Sequence, residues 1–316
     1  MPTEAEENLL YAASEGVLSD LTRLVKQGVN VNATLENSMS ALMRAAGHGE
    51  LDCLEHLIAK GANVEAKDMD GDTALSIAAG NGELDCLDHL IAKGANVNAT
   101  NEDGRTALMG AAELGSLDCL EHLIAKGANL EATDHGNGAT ALLWAAVNGK
   151  LDCLKLLIAK GANLEATDKD GHTALMGAAD NGVFDCLDHL VAKGANLEAK
   201  GVDGMTALMT AAGNDELDCV KRLIAKGANL QTATGEGKTA LDIAKENDCT
   251  DIVLLLDGAK QDDSGKRVLD DAKQEKHTEV VLIVDPDAKR GWRSSEAGGR
   301  PRARGRPKQG CVCLLL

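Results

Sequence analysis

Apolar and polar positions repeat along this chain with a period near 33 residues, and Asp103 to Asp134, DGRTALMGAAELGSLDCLEHLIAKGANLEATD, shows one cycle. The cycle is marked by a Ser or Thr at Ser40, Thr73, Thr106, Thr140, Thr173, Thr206 and Thr239, with one spacing of 34 among spacings of 33. A fixed period of that size signals a solenoid of stacked units. Within the cycle Thr106 is placed to cap a helix over Ala107 to Leu114, centred on Ala111 and Ala112 and stopped by Gly115. Ser116 offers a second cap, for a helix in which Leu117, Cys119, Leu120, Leu123 and Ile124 gather on one side. Asp118 and Glu121 lie early and Lys126 late, matching the macrodipole, before Gly127 closes the helix. Asn101-Glu102-Asp103-Gly104 has the chemistry of a tight turn between units. Neither helix exceeds about ten residues, short of the roughly 12–15 at which isolated helices become more than marginal. Each must therefore draw its burial from its neighbours.

These residues resemble the ankyrin-repeat family. Its pattern, D-x-x-G-x-T-P-L-H-x-A-A-x-x-G and then a second helix ending L-L-x-x-G-A-D, is met by much of Asp103 to Asn129, and the likeness runs from about Glu6 to Ala259. The resemblance implies an all-α ankyrin-repeat solenoid of about eight helix-turn-helix repeats with short β-turn or hairpin tips. The repeat domain is expected over 1–260, with units near 6–39, 40–72, 73–105, 106–139, 140–172, 173–205, 206–238 and 239–260. A charged linker and a mostly disordered basic tail then fill 261–316, with a strand-like run, EVVLIV, at Glu279 to Val284. The first unit reads as a cap without its turn. The eighth, TALDIAKENDCTDIVLLLDGA, reads as a C-terminal cap because Lys245, Asp248, Thr250 and Asp251 raise its polarity. One extra residue in Asp134-His135-Gly136-Asn137-Gly138-Ala139 is most cheaply placed at an exposed tip. Two departures from the family are systematic: Ala74, Ala107, Ala141, Ala174, Ala207 and Ala240 replace proline, and Met43, Ser76, Met109, Leu143, Met176 and Met209 replace histidine. Looser local fastening is expected, because a preset first turn and a polar link between repeats are both lost.

Only four aromatic residues occur, Tyr11, Trp144, Phe184 and Trp292, so burial must rest on aliphatic, Cys and Met side chains shared between units. The net charge of −18 is uneven: residues 1–260 carry 20 Lys/Arg against 41 Asp/Glu, whereas 288–316 carry 8 against 1. An acidic body repels nucleic acid and bare anionic membrane and favours a basic protein partner, while the tail attracts both polyanions. The acidic N-terminus lacks a basic and apolar leader, and no run approaches the ~18 apolar residues of a spanning helix, so a cytoplasmic protein is expected.

Cys53, Cys86, Cys119, Cys153, Cys186 and Cys219 form a ladder, one per repeat. Stacked helices lie about 8–10 Å apart, too far for a disulfide, which wants Cα atoms within roughly 7 Å, or for one zinc bound by sulfurs at ~2.3 Å. The ladder reads as apolar packing, and no metal or cofactor is expected. His56, His89, His122 and His189 follow four of these cysteines at i+3, the spacing of a thiolate–imidazolium pair. A thiol enzyme is the alternative so raised. It is set aside because a dyad needs a cleft and an oxyanion site, and because Leu156 and Arg222 stand at the same position in other repeats. Partly exposed histidines are expected instead. Trp144 aligns between Gly110 and Gly177, which reads as local volume compensation or, alternatively, as a ligand platform.

The resemblance implies that recognition belongs to the turn tips and the exposed ends of the first helices, which make the concave face. Residues there vary between units: Met69, Asp72, Glu102, Arg105, His135, Asn137, Lys169, His172, Val202 and Met205 at tips, and Asn81, Leu114, Asn148, Asn181 and Asn214 on helix ends. The function implied is a non-enzymatic scaffold or adaptor for a protein partner. In the tail, Cys313-Leu314-Leu315-Leu316 fits C-a-a-X with terminal Leu, and it is similar to the ends of Rac and Rho small GTPases. The basic run Arg300, Arg302, Arg304, Arg306 and Lys308 and a palmitoylation candidate, Cys311, would supply the second signal that one prenyl chain needs at an anionic cytoplasmic membrane. The same Arg304-Gly305-Arg306-Pro307-Lys308 resembles an AT-hook, which leaves a chromatin-associated protein as an alternative.

Overall fold

Eight helix pairs follow one another in the computed structural model, which describes residues 3–35, 37–261 and 267–269. They are α1 (Glu4–Ser14) and α2 (Leu18–Lys26), α3 (Ala41–Gly47) and α4 (Leu51–Ala59), α5 (Ala74–Asn81) and α6 (Leu84–Ala92), and α7 (Ala107–Leu114) and α8 (Leu117–Ala125). Then come α9 (Ala141–Val147) and α10 (Leu151–Ala159), α11 (Ala174–Asp180) and α12 (Phe184–Ala192), α13 (Ala207–Gly213) and α14 (Leu217–Ala225), and α15 (Ala240–Glu246) and α16 (Thr250–Gly258). All fall within one unit, Met1–Asp270. Cys311 and Cys313, the AT-hook-like run, the strand-like Glu279 to Val284 and the expected disorder of the tail lie outside the described residues.

The first helices form where the sequence places their caps. The Thr106 hydroxyl accepts from the Met109 N–H at 3.4 Å, and Thr73, Thr140, Thr173, Thr206 and Thr239 do the same for their own third residues. Paired alanines such as Ala111 and Ala112 are fully buried, and such small side chains let α1, α3, α5, α7, α9, α11, α13 and α15 touch in succession. The second helices make a parallel series of contacts, α2 to α4 and on to α16. They turn Cys, Leu and Leu inward, as Cys119, Leu120 and Leu123 do on α8. Burying each such leucine contributes about 1.5–3 kcal/mol, and the surface that covers it belongs partly to the next unit.

The expected cap at Ser116 does not form. None of the helices α2, α4, α6, α8, α10, α12, α14 and α16 has a side-chain cap, and the Ser116 hydroxyl instead donates to the Gly80 carbonyl of the preceding unit at 2.8 Å. The expected looser fastening is corrected in part by three polar series that cross between units. At the tips, backbone N–H groups of Met69, Glu102, His135, Lys169 and Val202 donate to Asn37, Asp70, Asp103, Asn137 and Asp170 carbonyls. After the second helices, side-chain oxygens of Asn32, Glu65, Asn98, Glu131, Glu165 and Glu198 accept from the backbone N–H of Asn63, Asn96, Asn129, Asn163, Asn196 and Asn229. At the helix ends, Asn81, Asn214 and Asn247 donate to the carbonyls of Gly47, Asp180 and Gly213.

In the last unit Ile252 and Leu256 turn inward, and Lys245, Asp248, Thr250 and Asp251 are exposed. Leu254 is exposed as well, so the outer face of this helix is not wholly polar. Beyond it β1 (Ala259–Gln261) pairs antiparallel with β2 (Arg267–Leu269), an order that the loss of periodicity after Ala259 did not foretell.

Candidate functional site

The residues singled out for recognition separate into three groups. Met69, Glu102, His135, Lys169 and Val202 occupy equivalent tip positions, are all exposed, and sit on the backbone ladder that joins one tip to the next. Glycines make that ladder possible: Gly71 has φ 81°, and a Cβ there would lie 2.7 Å from the Glu102 nitrogen. Met69 and Val202 are apolar yet 61% and 81% exposed, which leaves two sticky points on an otherwise polar row. Lys169 is committed to a neighbour, since its ammonium donates to the His135 and Gly136 carbonyls. The extra residue of the fourth junction does sit at an exposed tip, around His135, Gly136 and Asn137. Buried Asp134 organises it by accepting from the N–H groups of Asn137 at 2.7 Å and Gly138 at 3.0 Å.

The helix-end asparagines are less free than the sequence suggested. Asn148 and Asn181 donate to carbonyls of their own helices, at Trp144 and Gly177, while Asn81 and Asn214 fasten neighbouring units. Asp168 accepts from the N–H groups of Asp170 and His172, and its other oxygen lies 3.6 Å from the His172 ring. These three residues bring ligand atoms within 4.8 Å of one another, in a geometry that the turn itself uses. Met205 N–H is likewise held by Asp203 at 2.8 Å.

Asp72, Asn81, Arg105 and Leu114, four of the predicted residues, come together around one cleft between α5 and α7. Ser76, Ile77, Gly80, Asn101, Thr106, Gly110 and Glu113 complete its lining, and its cavity volume is about 240 Å³. Half-buried Asp72 accepts from the Ser76 hydroxyl at 2.9 Å and from the Asn101 amide at 3.4 Å. Burial pushes its carboxyl above the ordinary carboxylate value despite those bonds. Arg105 pairs with Glu113 and lies over the Trp144 ring, 4.5 Å from its centroid. The Trp144 N–H donates to Asp134 at 3.0 Å.

Trp144 is therefore not the volume compensator that its alignment suggested. A Cβ on Gly177 would meet Val147, and one on Gly110 would meet only Gly80 and Ser76. The ring instead anchors an arginine at the rim of the cleft.

The thiols are placed against nucleophilic chemistry. Cys53, Cys86, Cys119, Cys153, Cys186 and Cys219 are free and buried, and burial pushes most of them up to about 11 and Cys86 to about 12. A nucleophilic thiol needs the opposite shift. The four histidines are partly buried, and two of them look across to the previous unit, a link that the sequence reading missed: His89 lies 3.1 Å from Glu55 and His122 2.9 Å from Asp88, and Arg222 pairs with Asp188 in the same way. His56 and His189 have no such carboxylate, and burial lowers both below the ordinary imidazole value. Among the described residues their Nε2 atoms are enclosed without a hydrogen-bond partner, and His122 Nε2, for all its closeness to Asp88, makes no hydrogen bond either. Among the described residues no helix is long and apolar enough to cross a membrane.

Comparison with known proteins agrees with the repeat fold. The family profile described as Ankyrin repeats (3 copies) matches residues 9–101, 52–134, 108–201 and 175–264. The crystal structure of the human ASB11 ankyrin repeat domain is similar, with a TM-score of 0.65 and 30% identity, covering 70% of this chain and 100% of that one. No curated protein matches the chain.

Proposed function

The chain belongs to the ankyrin-repeat family, and on that premise we propose that its repeat body is a non-enzymatic scaffold that binds a protein partner along the turn tips and the cleft beside them. Ankyrin repeats are protein-interaction modules, so the question for this chain is which surface binds and what it prefers. The observation that carries the reading is the convergence of Asp72, Asn81, Arg105 and Leu114 on one cleft, beside a row of variable tip side chains on a shared backbone ladder. A surface already braced by inter-unit hydrogen bonds loses little ordering entropy when a partner docks. The acidic body, with 41 Asp/Glu against 20 Lys/Arg over residues 1–260, favours a basic partner and speeds its encounter. Substituting Val202→Asp and Met69→Asp tests the reading. Both should reduce recovery of the cellular partner with the full chain, whereas Lys155→Ala on the second-helix face should not; the reverse pattern would refute it.

For the tail we propose lipidation of Cys313, with Cys311 as a second acyl site, tethering the scaffold to an anionic cytoplasmic membrane. The C-a-a-X residues and the preceding arginines support this, and the reading requires Leu316 to be the last residue. Intact-mass analysis tests it: a prenyl adduct with Leu314 to Leu316 removed is expected, and an unmodified C-terminus would rule it out.

A further inference from the structure

We infer that the cleft between α5 and α7 receives one long cationic side chain, a lysine or an arginine, from a basic segment of the protein partner. This deepens the partner-binding reading above and rests on it. The cleft exists because a pair of side chains is missing. Between successive first helices, one position of each unit faces one position of the next, and in three other junctions a side chain fills the space. A Cβ on Gly47 would meet Ile77 at 2.9 Å, one on Gly177 would meet Val147 at 2.8 Å, and one on Gly213 would meet Ile243 at 3.1 Å. Where Gly80 faces Gly110 both are glycine, and a Cβ on Gly110 would find nothing nearer than the Gly80 Cα at 3.9 Å and the Ser76 carbonyl at 4.0 Å. The resulting trough has a volume of about 240 Å³.

Its walls sort by chemistry. Ile77 and Leu114 line the apolar part, and Leu114, 56% exposed, reaches over Gly80, where an added Cβ would meet its Cδ1 at 3.3 Å. Asp72, Asn101 and Glu113 line the polar part. Arg105, the cation of the cleft, is already engaged by Glu113 and by the Trp144 ring. Among the described residues Asp72 takes its side-chain hydrogen bonds from a hydroxyl and an amide, and Arg105, committed to Glu113, acts on it only as a charge without a hydrogen bond. An apolar occupant would desolvate that carboxylate further without a partner, and an anion would face two carboxylates. A long cationic side chain satisfies both ends, laying its methylenes over the glycine floor and carrying its charge to Asp72. The acidic field of the repeat body draws basic segments toward it.

The test uses the full chain carrying Trp292→Phe, which leaves Trp144 as the only tryptophan. The probes are hexalysine and its fully Nζ-acetylated form, read by Trp144 emission and by the methyl NMR shifts of Ile77 and Leu114, with urea unfolding confirming that each variant is folded. Hexalysine should move all three signals and the acetylated peptide none. Asp72→Asn should weaken binding roughly tenfold, the scale of one charge-assisted hydrogen bond. Gly110→Leu, whose Cβ would find nothing nearer than 3.9 Å and whose branch occupies the trough, should abolish the methyl response, and Asp118→Asn, which removes an equal charge on an exposed position of α8, should change affinity by less than about twofold. Failure of hexalysine to bind, methyl shifts that survive Gly110→Leu, or equal weakening by Asp72→Asn and Asp118→Asn would overturn the inference. The tip substitutions at Met69 and Val202 would then still decide the broader reading independently.

Discussion

Alkali should unfold the repeat stack through its cysteines. Cys53, Cys86, Cys119, Cys153, Cys186 and Cys219 are each at most 1% exposed, and burial raises them from 9.0 to about 11, or about 12 for Cys86. The folded state holds these protons more firmly than the unfolded chain does. Each thiol therefore contributes stability that is fully present below pH 9 and is lost as pH rises toward 11. At pH 10, one unit beyond the unfolded value, the loss is at most ~1.4 kcal/mol per thiol, or ~8 kcal/mol for the ladder. That is comparable with the ~5–15 kcal/mol that holds a typical domain together. Urea unfolding of the reduced protein, followed by far-UV circular dichroism at pH 7.5, 9 and 10, should show a midpoint that falls steeply above pH 9. A variant with all six cysteines changed to alanine should start less stable but lose most of that slope. A midpoint flat to pH 10, or an equal slope in the alanine variant, would refute the reasoning.

Other perturbations have equally definite signs. Gly71→Ala should destabilise by about 1–3 kcal/mol in urea unfolding, because φ is 81° and the new methyl would meet the Glu102 backbone at 2.7 Å. Asp215 holds a left-handed φ of 63° where Gly182 stands one unit earlier, so Asp215→Gly should raise stability by about 0.5–1 kcal/mol. Leu120→Ala removes a fully buried side chain shared between units and should cost about 2–5 kcal/mol, measured as a shift in urea midpoint. His189 is lowered by burial, with Lys193 and Lys155 adding to the effect, so its contribution is present above the unfolded value of 6.5 and is lost as pH falls through 6.5 toward the folded value. His189→Leu, the counterpart of Leu156, should therefore flatten the thermal stability profile between pH 7 and 5.

Much of the local fold was legible because it is written within a single unit. The helix expected over Ala107 to Leu114 is α7 to the residue, and Thr106 caps it as read. What escaped depends on register between units, which no single period displays. The N–H of Glu102 meets the Asp70 carbonyl and the Ser116 hydroxyl meets the Gly80 carbonyl only after the stack has formed. Ser116 carries the same residue type as a true cap, but its backbone at ψ 76° places the hydroxyl against the neighbour instead of its own helix. The candidate site was half visible. Asp72 and Arg105 were chosen because they vary, whereas the cleft they border arises from Gly80 and Gly110, whose pairing across a junction becomes apparent only when facing positions are compared. Trp144 was misread for a related reason: alignment identifies equivalent positions, but its ring reaches back to Asp134 in the turn before its own unit and to Arg105 one turn further.

The claim that the tips and their cleft are where a partner sits is tested most directly by site-specific photocrosslinking in the cell of origin. A benzophenone side chain placed singly at Glu102, at Leu114 and at Val202 should give a crosslinked protein adduct. The same group at Lys155 or Asp118, on the second helices, should give none. Adducts confined to the second-helix positions would contradict the account.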